Sequence, residues 1–267
     1  MTTPPEPPEH PPPAAPPPSS PPPSTPPPTA AVPVPAPAPG ATWGAPALSP
    51  ADRVRRAWSD RVRTDYLFMN PWLNVFLMII TCGIYGLYLF YQLVRRSRDH
   101  NQRRLELLDA ATTFAWERAY ERGVAEELRP SFERIAAHLQ PLRSMTTEFR
   151  DPAIWLVLAL IANGIAQIVA FVLLDGDLIK HDQAEGAVEA ELAVIYARLG
   201  QPLPPSDPNR VKGPDNYVGR VIATVASCGI YSFWWWVDQQ NDGDRHYAQN
   251  WPWEDALAQA VNTLQPV

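Results

Sequence analysis

The sequence predicts an all-α membrane protein with about three transmembrane helices, and three observations lead to this class. The first is a set of three apolar segments, at 71–94, 152–174 and 217–237, each about long enough to cross a bilayer as one helix. The second is that these segments belong to three copies of one internal repeat. The third is a proline-rich N-terminal region that can form neither helix nor sheet.

The N-terminal region, residues 1–50, contains 22 of the 33 prolines of the chain. Proline has no amide hydrogen and a fixed φ angle, so the extended polyproline II conformation is what remains. Too few apolar side chains are present to offset the entropy of ordering. We therefore expect a disordered tail that acts as a semi-rigid spacer and binds a cytoplasmic partner.

The repeat is defined by two constant spacings. In each copy, a glycine follows the first residue of the repeat by 13 positions, and a histidine follows that glycine by 17. The first residues are Asn70, Asp151 and Asn216, the glycines are Gly83, Gly164 and Gly229, and the histidines are His100, His181 and His246. Three membrane-embedding copies of one unit are therefore the predicted architecture.

Each apolar segment begins with a helix start signal. Asn70, Asp151 and Asn216 are good N-cap residues, and Pro71 and Pro152 fall at the first helical position, where no amide hydrogen is missed. The repeat glycine then lies about 18 Å along its helix, near mid-membrane. We expect this glycine to allow close helix packing; a break in the helix is the alternative.

The third segment contains a charge, Arg220, within one turn of its end. A long side chain at that position can reach the headgroup region. The run Trp234-Trp235-Trp236 suits the aromatic belt at the membrane interface. The segment therefore still predicts a span.

The polar stretches between the segments predict helical extensions outside the bilayer. A basic juxtamembrane segment occupies 51–70. The connection at 95–150 has apolar residues at helical spacing, so the first helix is expected to continue to about Glu127. A second stripe, containing Ile135 and Leu139, either packs on that helix or lies on the membrane surface, and we expect the packing. Residues 175–215 predict a helix followed by a proline-rich loop, and residues 238–267 predict a short amphipathic cap.

The positive-inside rule does not choose an orientation. Five arginines lie in the segment before 71–94 and five follow it closely, at 95–104. A re-entrant hairpin that turns at Gly83, with both ends cytoplasmic, is the alternative to a span. We expect three spans with a cytoplasmic N-terminal tail, because translocating a long polar region without a secretory signal is unfavourable.

The candidate site residues are the three repeat histidines, His100, His181 and His246, with the neighbouring Asp99, Asp182 and Asp244. Histidines at equivalent positions suggest a metal or proton site. However, each histidine lies about 25 Å along the helix from its glycine, and alternating spans would place His181 on the opposite face of the membrane. Asp175-Gly176-Asp177 and Asp242-Gly243-Asp244 lack the terminal glutamate of a calcium loop. We therefore predict no metal, cofactor or catalytic residues.

Cysteine usage and charge exclude other classes. Cys82 and Cys228 occupy the same repeat position, and we expect buried small residues; a disulfide or a metal pair is the alternative. The 20 arginines are interleaved with acids, and the net charge is −6, which excludes a nucleic-acid footprint. An arginine- and alanine-rich composition is typical of a GC-rich bacterial genome.

The segments Thr81-Cys82-Gly83-Ile84-Tyr85 and Ser227-Cys228-Gly229-Ile230-Tyr231 resemble the signature of a bacterial integral-membrane family, domain of unknown function 4234. The resemblance covers residues 65–255. It implies repeated apolar segments with a Thr-x-Gly-Ile-Tyr core, each followed by a polar stretch, and it implies no activity. The second copy, at 163–166, lacks both the threonine and the tyrosine.

The sequence predicts no enzyme, because it contains no nucleophile elbow, phosphate loop or helical zinc-protease motif. We expect a multi-pass protein of the cell membrane that acts as a non-enzymatic scaffold or interaction protein of the bacterial cell envelope, with the lipid bilayer and a second copy of itself as partners. The alternative is a small oligomeric transporter or channel. In that case Asn74, Asn163 and Gln167 would line its polar path.

Overall fold

The computed structural model describes residues 48–265 except Met69, Asn163, Lys212 and Pro214. All regular structure in this part of the chain is helical, which confirms the all-α prediction. The helices are α1 (Pro50–Thr64), α2 (Pro71–Ile80), α3 (Ile84–Glu121), α4 (Ala125–Thr147), α5 (Pro152–Ala162), α6 (Gly164–Arg198), α7 (Tyr217–Ala226) and α8 (Ile230–Leu264). Residues 1–47 of the predicted disordered tail lie outside the described part of the chain.

Each predicted transmembrane segment is two helices that fold back on each other, and not one helix. Arg220 at the start of α7 lies 2.7 Å from the Asp238 carboxylate on α8, although 18 residues of straight helix would separate them by about 27 Å. Arg150, just before α5, likewise forms an ion pair with Asp177 on α6. The prediction of uninterrupted helices over 71–94, 152–174 and 217–237 is therefore wrong. We call the segments 71–94, 152–174 and 217–237 hairpins 1, 2 and 3.

The turns of hairpins 1 and 3 have the same local chemistry. Gly83 and Gly229 adopt left-handed φ angles of 89° and 92°, and the amide of each donates to a carbonyl of the preceding helix at 2.8 Å. The Thr81 hydroxyl then accepts the amide hydrogen of Tyr85 at 3.0 Å, which caps the start of α3. Ser227 does the same for Tyr231 at 2.9 Å. The Thr-x-Gly-Ile-Tyr pattern is thus a helix-ending turn.

The two cysteines lie inside these turns. Cys82 and Cys228 both have φ of 50°, and both are exposed and free. The expectation that they are buried is wrong, because they sit at hairpin tips that no other part of the described chain covers. They also lie on separate turns and form no disulfide.

The N-cap predictions are confirmed in all three copies. The Asn70 side chain accepts from the amides of Trp72 and Leu73, the Asp151 carboxylate accepts from two amides of α5, and Asn216 accepts from one amide of α7.

No helix among the described residues combines the length and the apolar character needed to cross a membrane.

The long second helices of the hairpins, α3, α6 and α8, run parallel and in register. Seven residues after each repeat glycine stands an aromatic ring: Phe90, Phe171 and Trp236. The Trp236 ring contacts both phenylalanines, with centroids 6.4 Å and 4.9 Å apart. The repeat histidines, ten residues further on, also contact one another. Because residues at equal distances from the turns contact one another, the three turns lie at the same end of the three helices.

Beyond the histidines, the same three helices form a bundle with α1 and α4. Ile135 and Leu139 of α4 are buried in one core with Leu107 of α3, which confirms that the second stripe packs on the first helix. Helix α3 ends at Glu121, earlier than expected, because Gly123 adopts a left-handed φ of 69°.

Two further elements differ from the sequence prediction. The basic segment before hairpin 1 is a helix, α1, that buries Ala51, Val54 and Ala57 against the bundle. The predicted C-terminal cap is the last part of α8, which continues through Pro252. The bundle therefore contains more of the chain than the sequence pattern indicated.

Candidate functional site

The three repeat histidines meet at one point. The ring centroids of His100, His181 and His246 are 5.2–6.0 Å apart, and the three side chains are at most 2% exposed. The expectation that His181 lies on the opposite face is wrong. In each hairpin the chain turns back to the side on which the hairpin began. The three histidines, which follow the hairpins in sequence, therefore all lie on that side.

Glu185 completes the cluster. It lies one turn after His181 on α6, and its Oε1 is 3.0 Å from Nε2 of that histidine. Its Oε2 is 3.4 Å from Nε2 of His246. One donor atom from each of the three histidines and from Glu185 lies within 4.8 Å of the others. We call these four residues the histidine cluster.

Glu185 was not among the predicted site residues, although the sequence contains a signal for it. Residues four positions apart lie on the same face of a helix. The residues four positions after the repeat histidines are Arg104, Glu185 and Asn250, and all three are fully buried. They contact one another: the Arg104 Nε donates to Glu185, and Asn250 is 3.4 Å from the same carboxylate. A second polar layer therefore follows the histidine layer at helical spacing.

Carboxylates also face the outer ring nitrogens of two histidines. Asp65, between α1 and α2, is 3.1 Å from Nδ1 of His100. Asp182 is 3.4 Å from Nδ1 of His246. A carboxylate behind a ring nitrogen fixes the orientation of the imidazole and leaves its other nitrogen directed inward.

The other two predicted aspartates lie elsewhere. Asp99 pairs with Arg98 and Arg95, and Asp244 pairs with Arg96. Only Asp182 of the three neighbouring aspartates is therefore brought to the histidines. Asp65 was not predicted, and because it belongs to a different part of the chain, no spacing in the repeat points to it.

A buried ionic network surrounds the cluster. Arg104 binds three glutamates, Arg103 binds Asp65 and one of those glutamates, and Arg210 binds Asp182 and another of them. The carboxylates of this network are Asp65, Asp182, Glu185, Glu189 and Glu254. Arg61 also reaches Glu254, at 4.0 Å, so with neutral histidines these five carboxylates outnumber the four arginines described in contact with them.

The environment changes the pKa of His100, His246 and Glu185 in directions that follow from their neighbours. Burial lowers the pKa of His100 to about 3, and Asp65 only partly opposes this effect. Burial also lowers the pKa of His246, but the neighbouring Asp182 and Glu185 carboxylates outweigh it and the pKa is raised. Burial would raise the pKa of Glu185, yet Arg104 and His181 hold it well below its ordinary value. The carboxylate of the cluster is therefore ionised.

Several ring nitrogens of the cluster make no well-formed hydrogen bond with the described residues. They are both nitrogens of His100, both nitrogens of His181, and Nδ1 of His246. The neighbouring carboxylates lie at 3.0–3.4 Å but outside hydrogen-bonding geometry. A buried polar atom without a partner costs about 1–3 kcal/mol. Imidazole nitrogens and a carboxylate oxygen are also the ligand atoms that Zn²⁺ and similar metals use.

A second group of acids lies near hairpin 3. Donor oxygens of Asp175, Asp215 and Asp242 also lie within 4.8 Å of one another. Tyr217 donates to Asp175, and Arg220 lies 2.8 Å from Asp215, so this group ties hairpin 3 to α6. These contacts give the group a structural role.

Two of the three residues proposed for a polar path, Asn74 and Gln167, lie in the described part of the chain. Asn74 is buried and donates to Gln240, and it accepts from Tyr85 at 2.8 Å. Gln167 is partly buried on α6, and Asn163 lies outside the described residues. Asn74 thus holds hairpin 1 to α8.

The hairpins have an apolar surface. Of the 24 large hydrophobic side chains that are exposed in the described structure, 19 lie in the three hairpins, so exposure of apolar groups is concentrated at one end of the molecule. The most exposed include Ile161 at 79%, Ile84 and Ile165 at 73%, and Val218 and Val225 at 72%. Such a large patch marks an interaction surface.

Comparison with known proteins adds no relative. No protein-family model, curated protein or solved structure matches this chain. The resemblance to domain of unknown function 4234 stays a prediction that the comparisons do not test.

Proposed function

We propose that this protein is a non-enzymatic membrane scaffold that inserts its three hairpins into one leaflet and holds its helical bundle at the surface of that leaflet. The concentration of exposed apolar side chains on the hairpins carries this proposal. Acyl chains match such a surface, because a polar partner would have to bury its own polar groups against apolar side chains without hydrogen bonds.

The length of the hairpins supports a single leaflet. The first helices have 10, 11 and 10 residues, which at 1.5 Å per residue is about 15–17 Å. The hydrocarbon core of a bilayer is about 30 Å thick. Each hairpin therefore has the depth of one leaflet.

The backbone at the turn of hairpin 1 is suited to a medium without water. Irregular backbone in hydrocarbon requires internal partners for its amides. The amides of Thr81, Cys82, Gly83 and Ile84 all donate to carbonyls of the hairpin, at 2.8–3.1 Å. The Tyr85 amide donates to the Thr81 hydroxyl. The turn thus satisfies its amide hydrogens without solvent.

The hairpin arrangement also accounts for the arginines on both sides of hairpin 1. If the chain re-enters, 51–70 and 95–104 lie on the same side of the membrane, and the positive-inside rule places that side in the cytoplasm. The proline-rich tail is then cytoplasmic as well. The bundle and the tail would present binding surfaces for partners at the inner leaflet.

Thiol labelling tests the topology. Single cysteines are introduced at Ser59, Ser144 or Thr263, which are exposed on α1, α4 and α8, in a Cys82→Ser, Cys228→Ser background. In intact cells, a membrane-impermeant maleimide is expected to label none of them, and lysis is expected to make all three reactive. Labelling of Ser144→Cys and Thr263→Cys from outside would instead support three spans.

A cytosolic protein would give the same protection, so depth is measured separately. The native Cys82 and Cys228 are exposed at the hairpin tips and can each be labelled with a fluorophore in the single-cysteine protein. After reconstitution, we expect strong quenching by lipids brominated deep in the acyl chain and little by an aqueous quencher. Efficient aqueous quenching at both tips would contradict insertion of the hairpins.

A further inference from the structure

We propose that the histidine cluster binds one divalent transition-metal ion, with Zn²⁺ as the best match, through three imidazoles and one carboxylate. The ligands are His100, His181, His246 and Glu185. This proposal does not depend on the placement of the hairpins in a membrane, because the cluster lies between the hairpin core and the bundle core.

The geometry is close to that of a metal centre. Tetrahedral Zn²⁺ with bonds of about 2.0–2.2 Å places its ligand atoms about 3.3–3.6 Å apart. The four donor atoms here lie within 4.8 Å of one another. Side-chain movements of about 1 Å or less would bring them to bonding distance. All four side chains start from long, packed helices, which hold them in place.

The surrounding groups have the arrangement expected around metal ligands. In a metal site, a histidine usually directs its other ring nitrogen to a carboxylate or carbonyl. Asp65 faces Nδ1 of His100, and Asp182 faces Nδ1 of His246. This leaves Nε2 of each ring for the metal. For His246, that nitrogen lies 3.3 Å from the side-chain nitrogen of Asn250 and 3.4 Å from Glu185, so a metal would replace the contact with Asn250.

The unpaired ring nitrogens and the charge balance point to a cation. Nε2 of His100 and Nε2 of His181 lack well-formed hydrogen bonds in side chains that are at most 2% exposed, and a metal would give both a partner. When the rings are neutral, the carboxylates of the network outnumber the arginines that contact them, so a bound cation would be favourable there. Protonation of two histidines is the competing explanation, and it predicts no bound metal.

The site is closed, which indicates a structural role. Catalytic zinc keeps a coordination position for water or substrate, whereas structural zinc is fully coordinated by the protein. Here four buried side chains from the three long helices supply the full tetrahedral set of ligands. The ion would link α3, α6 and α8 at the level where the hairpins join the bundle.

Metal content of the full chain, purified in detergent, tests the proposal. After loading with Zn²⁺ and gel filtration, we expect about one ion per chain by elemental analysis. His181→Ala and Glu185→Gln are expected to lose at least about four-fifths of it. His138→Ala is the matched control, because His138 lies on α4 outside the cluster, and it should retain full content.

Measurements on the wild-type chain avoid the question of whether a variant folds. We expect Zn²⁺ to raise the unfolding temperature and a chelator to reverse this, and we expect Co²⁺ to give the intense visible absorption of a tetrahedral site. Metal content far below one per chain, with no change of unfolding temperature on adding Zn²⁺, would overturn the proposal. Full metal content in His181→Ala would overturn it as well, since the ion would then be bound elsewhere.

Discussion

The phenolic O–H of Tyr85 on α3 donates to Oδ1 of Asn74 on α2, with 2.8 Å between the two oxygens. Asn74 in turn donates to Gln240 of α8. These two bonds close hairpin 1 and attach it to the long helix of hairpin 3. Because Asn74 is only 8% exposed, the pairing is made where water competes little.

Replacing Asn74 tests this connection. Asn74→Leu leaves the polar groups of Gln240 and Tyr85 without their partner, so we expect the free energy of unfolding to fall by about 1–3 kcal/mol. Denaturant unfolding of the purified protein, followed by circular dichroism, measures the change. Asn74→Leu combined with Gln240→Leu should recover part of the loss, because both partners are then apolar. A double variant less stable than the sum of the single changes would argue against the pairing.

The repeat glycines offer a comparison within one chain. Gly83 and Gly229 have left-handed φ angles, and a Cβ at either would meet no atom within 4 Å, so the cost of alanine is purely conformational. We expect Gly83→Ala and Gly229→Ala each to lower the free energy of unfolding by about 1–2 kcal/mol.

Gly164 is the matched control for these substitutions. It begins α6 without a left-handed φ angle, and the space around it is also open. Gly164→Ala should leave stability unchanged or slightly improved. Equal losses at all three glycines would mean that the left-handed turn is not the reason for glycine at 83 and 229.

The buried ionic network predicts a large effect at Arg104. This side chain is fully buried and binds Glu185, Glu189 and Glu254. Arg104→Met would leave these carboxylates without their shared cation, and we expect a loss of about 3–5 kcal/mol in the free energy of unfolding. Arg134→Met, which removes a surface pair with Glu191, should change the unfolding temperature little. Similar losses of stability at both positions would contradict the expectation that burial makes the loss at Arg104 larger.

Charges on the hairpin surface should act on membrane binding and not on folding. Ile161 is 79% exposed near the tip of hairpin 2, and arginine in hydrocarbon costs about 2.5–3.5 kcal/mol on insertion scales. We expect Ile161→Arg to reduce liposome binding about 100-fold and to leave the helical content unchanged.

Val194→Arg is the matched control for this substitution. Val194 is 54% exposed on α6 but belongs to the bundle, so a charge there should leave flotation with liposomes unaffected. Equal flotation of both variants would remove the support for insertion through hairpin 2.

Much of the fold follows from local sequence signals. The N-caps at Asn70, Asp151 and Asn216 were predictable because the cap is a hydrogen bond to amides two or three residues away. The histidine spacing was also visible, as was the helical pattern that continues to Arg198.

The turns inside the apolar segments were not predictable with the same methods. Hydropathy favours one helix across 71–94, and Gly83 is compatible with a packed helix as well as with a left-handed turn. The choice depends on contacts between distant residues, such as Asn74 with Gln240 and Met78 against Gly86. These contacts exist only once the hairpins have assembled.

The sequence by itself determined where the three apolar segments start and that each of their glycines is followed by a histidine 17 residues later. Only the tertiary structure decided that the three histidines meet around Glu185. The physical reason is direction: a straight span would place successive histidines on opposite sides, whereas a hairpin returns each chain to the same side. The direction of the chain after each turn therefore decides which side chains can become neighbours.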